Sequence, residues 1–141
     1  MRWILGLALA CACVAPAAAQ SRLVDIEEQS IDQLQAKLAR GEATSVHLVS
    51  AYLARIDAMD RRGPTLRSVI AINPQAQAEA RASDARRKAG KLLGPLDGVP
   101  VLIKDNIETR DQPTTAGSLA LAANDTRRDA PVVARLRAGG A

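Results

Sequence analysis

The sequence predicts an α/β fold that is incomplete in this chain. Helix signals occur in four segments, and two short apolar runs rich in β-branched residues predict strands. Two strands with a few amphipathic helices would leave apolar faces uncovered, whereas a chain of this size must bury roughly two-thirds of its unfolded surface. We therefore expect the N-terminal portion of a longer protein. The alternative is a small domain completed by oligomerisation, and the sequence leaves the oligomeric state open.

The composition excludes two broad functional classes. The 141 residues include 19 Lys and Arg against 15 Asp and Glu, a net charge of +4, and 48% of them are apolar. A charged fraction of only 24%, with abundant Leu, Ile and Val, excludes a disordered polar chain. One Trp and one Tyr are the only aromatic residues, so stacking on single-stranded nucleic acid is not expected. The small positive excess is scattered, and we expect no nucleic-acid partner.

Residues 1–19 have the features of a signal peptide. Arg2 supplies the positive charge, residues 3–14 form an uncharged apolar run, and residues 17–19 offer a small-residue cleavage site before Gln20. The run is shorter than the about 20 apolar residues that a membrane span needs. We expect an exported protein, periplasmic or secreted, with no stable membrane anchor after processing. The alternative is a buried or anchoring N-terminal helix.

Metal and cofactor chemistry has no visible basis in the sequence. Both cysteines, Cys11 and Cys13, lie in the signal segment, so the processed chain would have no disulfide and no thiol nucleophile. The single histidine, His47, is expected on the surface or boundary of a helix. No metal-ligand cluster, P-loop or dinucleotide-binding motif occurs. We therefore expect neither a metal nor a cofactor.

Two amphipathic helices are predicted first. Ser30 and Gln33 have the spacing of a capping box, and Thr44 or Ser45 is expected to cap a second helix that ends at Gly63. The apolar stripes consist of Ile31, Leu34 and Leu38 in the first helix and Val46, Val49, Leu53, Ile56 and Met59 in the second. Each helix should bury one face.

The two predicted strands enclose a third helix. Residues 68–72 form the first β-branched run, and Asn73 followed by Pro74 has the pattern of an N-cap and a first helical residue. This helix is expected to end near Gly90, and its charged residues are interpreted as a solvated face: Glu79, Arg81, Asp84, Arg86, Arg87 and Lys88. The second run, 99–103, is apolar on both faces and predicts a buried strand.

A polar loop over residues 105–118 precedes the last predicted helix. Asp129 is expected to cap this helix, Pro131 lies just inside it, and Gly139 with Gly140 would end it.

Lys104 is the one unusually placed reactive side chain. It ends the second predicted strand and begins the polar loop, and α/β enzymes place reactive groups where strands lead into loops. A lysine drawn into such a site loses hydration, which favours its neutral form, and it can then act as a base toward a serine. Taken by itself, a lysine at a strand end is more often solvent-exposed. No Ser-His-Asp arrangement and no nucleophile elbow competes with it.

Three motifs together resemble the amidase signature family. They are GPLDGVPVLIKDN at 94–106, TTAGSLAL at 114–121 and DAPVVARLR at 129–137. The resemblance runs from about residue 24 to the last residue, and within the family it is strongest to the exported bacterial peptide amidases. It implies that residues 20–141 are the N-terminal part of an amidase domain with an α/β/α fold, in which helices flank a mixed sheet.

The resemblance also implies a Ser–cis-Ser–Lys triad. Lys104 matches the family's lysine, which accepts and returns a proton through the bridging serine. Both serines of the family lie in a Gly/Ser-rich loop further along than residue 141, and Ser118 does not replace them because it matches a non-nucleophilic loop. Four further residues match motif positions and are expected to shape the loop around Lys104: Asp105, Asn106, Thr115 and Gly117.

Three functional hypotheses follow. In the first, the parent protein is an amidase that hydrolyses an amide C–N bond, specifically the C-terminal amide of peptides, while this portion alone is inactive. In the second, the chain is a non-catalytic exported fragment or pseudoenzyme module. In the third, it is a transamidase-type family member, which the export signal argues against. The expected partner is an amide substrate, either a peptide amide or a small amide.

The signal segment makes the first testable prediction. Export should be accompanied by cleavage between Ala19 and Gln20, because the charged, apolar and small-residue regions follow one another in the order that processing requires. Mass spectrometry of the exported protein should therefore find Gln20 at the N-terminus. Recovery of a soluble chain that still begins at Met1 would contradict the signal-peptide interpretation.

Overall fold

Helices make up the regular structure of residues 24–141, which are the residues that the computed structural model describes. The elements are α1 (Ile31–Ala39), α2 (Ser45–Arg55), a π-helix (Ile56–Arg61), α3 (Ala76–Lys88), a 3₁₀ helix (Leu119–Leu121) and α4 (Pro131–Ala138). The predicted signal peptide at 1–19 lies outside the described residues. In the part described, no helix has the length and apolar character needed to cross a membrane.

The starts of α1 and α2 confirm the capping predictions. The Ser30 hydroxyl accepts a hydrogen bond from the Gln33 backbone N–H at 3.2 Å, and the Gln33 side chain accepts one from the Ser30 N–H at 2.7 Å. These reciprocal bonds satisfy two of the free N–H groups at the helix start. At α2 the Thr44 hydroxyl accepts from the His47 N–H at 3.1 Å, so Thr44 rather than Ser45 is the cap. His47 itself is exposed.

The second helix reaches almost to Gly63, as predicted, but its last six residues form the π-helix. Gly63 has φ +49°, and a Cβ at this position would lie 2.6 Å from the Ala58 carbonyl oxygen. Only glycine fits this close backbone approach, so Gly63 ends the helix. The wider π turn carries Asp60 at its end, where the side chain is buried.

The predicted caps of α3 and α4 are wrong. Helix α3 begins at Ala76, and Asn73 instead accepts a hydrogen bond from the Gln75 N–H in a turn before the helix. No side chain caps α4. Asp129 is engaged elsewhere, because it accepts from the Arg110 N–H at 3.0 Å and lies 3.0 Å from Arg137 Nε. A local turn has therefore replaced the predicted cap at α3, and tertiary partners have replaced the one at α4.

The predicted strands at 68–72 and 99–103 are also wrong. Among residues 24–141 no strand forms, and the pairing found there is an isolated bridge between Thr109 and Gln112. Several of the apolar side chains in the two runs are exposed, including Ile70 at 54% and Leu102 at 77%. A strand exists only when a neighbour pairs with its backbone, and the described residues supply no such neighbour.

A small apolar core holds the beginning of the second run. The buried cluster consists of Leu34, Leu38, Ala43, Leu48 and Val99, with Val24 and Ile26 packed against it. It therefore joins α1, α2 and the first residue of the segment that leads to Lys104. Burial of large aliphatic side chains contributes about 1.5–3 kcal/mol each, which fixes Val99 while the following residues lie at the surface.

A buried carboxylate fixes the turn just before this segment. Asp97 is fully buried and accepts hydrogen bonds from Ser83 Oγ at 2.6 Å, from Arg86 Nη2 at 2.7 Å and from the Leu93 N–H at 2.9 Å. Burial alone would raise the pKa of Asp97, but the hydrogen bonds from Arg86, Ser83 and the Leu93 N–H outweigh it and lower the pKa to about 2. The carboxylate is thus ionised and satisfied inside the protein.

The same network corrects the interpretation of α3 as a wholly solvated face. Arg86 pairs with the Asp97 carboxylate, and Arg87 donates to the Asp97 carbonyl oxygen at 2.9 Å and to the Gln35 side chain at 2.9 Å. Lys88 is exposed, as predicted. One edge of α3 is therefore a structural interface with α1 and the turn at Asp97.

Removal of the Asp97 carboxylate should destabilise the protein. Asp97→Ala leaves the Arg86 guanidinium without its partner and should lower the free energy of unfolding by about 2–4 kcal/mol in urea titrations. Asp125→Ala, which removes an exposed carboxylate, is the control and should change it by no more than about 0.5 kcal/mol.

The stabilisation should also depend on pH. Because folding lowers the pKa of Asp97 below its ordinary value of 3.8, the contribution is complete above about pH 4 and is lost as the pH falls toward 2. Wild-type protein should lose stability across that range more steeply than Asp97→Ala. Identical acid profiles for the two proteins would contradict this assignment.

Candidate active site

A cavity of about 560 Å³ lies between the two runs that were predicted to be strands. Residues 68–71 line one side, and residues 102–107 line the other together with parts of the loop from 109 to 117. The walls are apolar at Ile70 and Leu102, whereas Lys104, Asp105 and Asn106 contribute polar groups. The predicted site residue thus lies in an open cavity with a mixed apolar and polar lining.

Lys104 lines this cavity and is exposed within the described part of the protein. Its ammonium takes part in none of the ion pairs formed among residues 24–141. Its carbonyl oxygen accepts a hydrogen bond from the Ile107 N–H at 2.9 Å, which closes a turn directly after the lysine. The Lys104 backbone is therefore fixed by this hydrogen bond, while the residue lines the cavity.

Asp105 connects the Lys104 segment to the Thr-Ala-Gly-Ser loop. One carboxylate oxygen, Oδ2, accepts hydrogen bonds from Thr115 Oγ1 at 2.5 Å and from the Gly117 N–H at 3.0 Å. The Asp105 carbonyl oxygen accepts from the Ala116 N–H at 3.2 Å. The hydrogen bond from Thr115 lowers the pKa of Asp105 and so keeps the carboxylate ionised. Three successive loop residues are thus bound to the residue after Lys104.

The loop itself contains a strained turn. Ala116 and Gly117 have φ of +48° and +72°, and the Ser118 N–H donates to the Thr115 carbonyl oxygen at 2.9 Å. A left-handed alanine costs about 1–2 kcal/mol, so the contacts with Asp105 offset a real strain. Ser118 is exposed and is not among the residues that line the cavity.

A second aspartate holds the opposite wall. The buried Asp60 accepts hydrogen bonds from the Ser68 N–H at 2.5 Å, from Ser68 Oγ at 2.7 Å and from the Val69 N–H at 3.3 Å. The hydrogen bond from the Ser68 hydroxyl lowers the pKa of Asp60 against the opposing effect of burial. Asp60 therefore fixes the point at which residues 68–71 enter the cavity wall.

Gly98 is the entry to the Lys104 segment. It has φ +91°, and a Cβ there would lie 2.2 Å from Ser45 Oγ and 2.8 Å from Ser83 Oγ. Ser45 is itself fully buried and donates to Ser83 at 3.1 Å. The backbone thus passes against two buried hydroxyls, and a side chain at this position would be strained and would displace at least one of them.

Sequence reasoning did not find the roles of Asp60 and Asp97. An isolated aspartate near a helix end or in a Gly- and Pro-containing turn is ordinarily exposed, and no periodic pattern marks either residue as buried.

In the described residues, no group of three or more His, Cys, Asp or Glu side chains is arranged to hold a metal ion.

Comparison with known proteins identifies the family. The sequence profile of the family named Amidase matches residues 47–141. The chain belongs to the amidase family. The resemblance inferred from the three sequence motifs is thereby confirmed.

Solved structures show the same fold over the matching region. Native peptide amidase from Stenotrophomonas maltophilia superimposes with a TM-score of 0.78 at 48% identity, over 81% of this chain and 23% of that one. An amidase family protein from Bacillus anthracis gives a TM-score of 0.76 at 38% identity, over 82% of this chain and 23% of that one. These neighbours support the predicted amidase fold, although the described residues themselves contain no strand.

Similarity extends to a component of a transamidase. One subunit of the glutamyl-tRNA(Gln) amidotransferase of Chloroflexus aurantiacus is 45% identical over 120 residues, which are 84% of this chain and 24% of that protein. The chain spans about a quarter of the length of the relatives it matches.

Substitution of Gly98 should disturb the approach to Lys104. Gly98→Ala combines a backbone conformation that alanine rarely adopts with overlap against two buried hydroxyls, and it should cost about 2–4 kcal/mol of unfolding free energy. Gly90→Ala is the matched control, since Gly90 has φ +68° and open space around its Cβ position. It should cost only about 1 kcal/mol. Equal losses for the two variants in urea unfolding would contradict the close approach at Gly98.

Proposed function

We propose that the whole protein is an amidase that hydrolyses the C-terminal amide of peptides. The observation that carries the proposal is Lys104, which stands in the family's lysine position and lines a cavity without an ion-pair partner among the described residues. The identity of 48% to a solved peptide amidase supports the substrate class.

In the proposed mechanism Lys104 is the proton acceptor and donor. A serine hydroxyl attacks the amide carbon, and its proton passes through the bridging serine to Lys104 Nζ. When the C–N bond breaks, the proton returns by the same route to the leaving nitrogen, which departs as ammonia. Water then attacks the acyl-enzyme ester with the same proton transfers and releases the carboxylic acid. The proposal assigns both serines to a segment that follows residue 141 in the full-length enzyme.

The surroundings of Lys104 suit this role. A base must be neutral when it accepts a proton, and a nearby carboxylate that paired with it would favour the charged form. The Asp105 carboxylate is instead bonded to Thr115 and Gly117.

Residues 1–19 and 20–141 are assigned in this proposal to a signal peptide and to the N-terminal part of the amidase domain. Export would place the enzyme in the periplasm or outside the cell, where peptides are available as substrates. Transamidase activity is the second candidate, because one glutamyl-tRNA(Gln) amidotransferase subunit is 45% identical to this chain. The signal peptide predicted for residues 1–19 favours the hydrolase.

The test is ammonia release from a peptide amide by the full-length protein. Lys104→Ala should lower kcat by about a thousandfold or more, because the members of such a triad act as one unit. Lys104→Arg should be equally inactive, since a guanidinium cannot be deprotonated in proteins. Lys88→Ala removes an exposed lysine of α3 and should retain wild-type turnover.

Two outcomes would contradict the proposal. Near-wild-type turnover by Lys104→Arg would assign Lys104 a binding or structural role. A wild-type protein that leaves peptide amides intact but transfers ammonia from glutamine would favour the transamidase.

A further inference from the structure

The charge next to Lys104 poses a chemical problem for the proposed base. Among the described residues that line the cavity, Asp105 is the only charged residue besides Lys104. The two are adjacent in the chain, and an ion pair between them would favour the protonated lysine. A lysine that must accept a proton therefore needs this carboxylate to be held elsewhere.

Thr115 provides that restraint. Its hydroxyl donates to Asp105 Oδ2 and accepts from the Gly117 N–H at 3.1 Å, so it makes both kinds of hydrogen bond at once. The same carboxylate oxygen accepts from the Gly117 N–H, which closes a three-membered network of Asp105, Thr115 and Gly117. Hydrogen bonds to a charged acceptor are worth about twice those between neutral groups.

The network also holds the strained turn against the Lys104 segment. Ala116 lies in the left-handed region between Thr115 and Gly117, and its N–H donates to the Asp105 carbonyl oxygen. Loss of the Thr115 hydroxyl would leave the carboxylate oxygen bound by the Gly117 N–H alone, which weakens the restraint on the charge and loosens the turn together. A valine has the shape of threonine without the hydroxyl, whereas serine retains the hydroxyl without the methyl group.

We infer that Thr115 is a positioning residue of the amidase reaction: it binds the Asp105 carboxylate and thereby keeps that charge from pairing with Lys104. The inference rests on the proposed function, since only a lysine acting as a base requires this separation. Among the described residues the Thr115 side chain bonds to Asp105 and Gly117, so it is assigned to act on Lys104 through Asp105.

The experiment compares variants of the full-length enzyme on a peptide amide over a range of pH. Thr115→Val should lower kcat near neutral pH by about tenfold or more. This is the loss expected if the neutral form of the base becomes about ten times less populated. Its KM should change little, and its kcat should recover as the pH rises. Thr115→Ser should behave as wild type. Thr126→Val is the matched control, because the Thr126 hydroxyl bonds to the Arg128 carbonyl oxygen and the residue does not line the cavity.

A double variant separates the electrostatic effect from a loss of loop structure. Thr115→Val combined with Asp105→Asn removes the released charge and should bring the pH profile back toward that of wild type. Hydrogen exchange of the Gly117 amide should be faster in Thr115→Val, and this readout applies even if that variant is poorly active.

Three results would overturn the inference. The first is wild-type kcat and pH profile in Thr115→Val. The second is a loss that is equal at all pH values and is not relieved by Asp105→Asn, which would show a purely structural role. The third is unchanged exchange at Gly117. A wild-type enzyme without amidase activity would instead overturn the proposed function, and this inference with it.

Discussion

The buried carboxylate of Asp97 holds together the part of the fold that leads to Lys104. It accepts hydrogen bonds from Ser83 and Arg86 of α3, and its own backbone lies so close to the end of α4 that a Cβ on Gly140 would approach Asp97 Cα to 2.8 Å. A charge in the interior is tolerated only when it is paired and hydrogen-bonded, so these partners must be in place together. The position of the following segment, Gly98 onward, depends on that arrangement.

Three aspartates perform the same task in different places. Asp60, Asp97 and Asp105 each accept hydrogen bonds from backbone N–H groups of irregular segments. Backbone donors that are removed from water require partners, and in a sheet the neighbouring strand supplies them. In the described residues, which contain no strand, carboxylates take over part of this role. The lining of the cavity is thus fixed by side-chain acceptors at a few points, with apolar residues such as Ile70 and Leu102 left exposed between them.

The candidate-site residues that belong to a sequence motif were predictable, whereas those brought together only by folding were not. Lys104, Thr115 and Gly117 could be selected from the sequence because they stand in recognisable motifs at a fixed spacing. Asp60 could not, because its partners are eight or more residues away in a segment whose path is set by tertiary contacts. The pairing of Arg86 with Asp97 was not predictable for the same reason. A charged helix face has the same sequence pattern whether it contacts solvent or a buried carboxylate.

The sequence by itself determined the elements whose stabilising contacts lie within a few residues. The capping box of Ser30 and Gln33 and the cap at Thr44 are bonds between near neighbours, so local composition was sufficient. Tertiary structure decided the rest. The run 68–72 has the composition of a strand, but a strand needs a partner backbone, and none pairs with it among the described residues. Asp129 stands where a helix cap is expected, but its carboxylate accepts from the distant Arg110 backbone N–H and lies beside the Arg137 guanidinium, partners that only the tertiary structure brings to it.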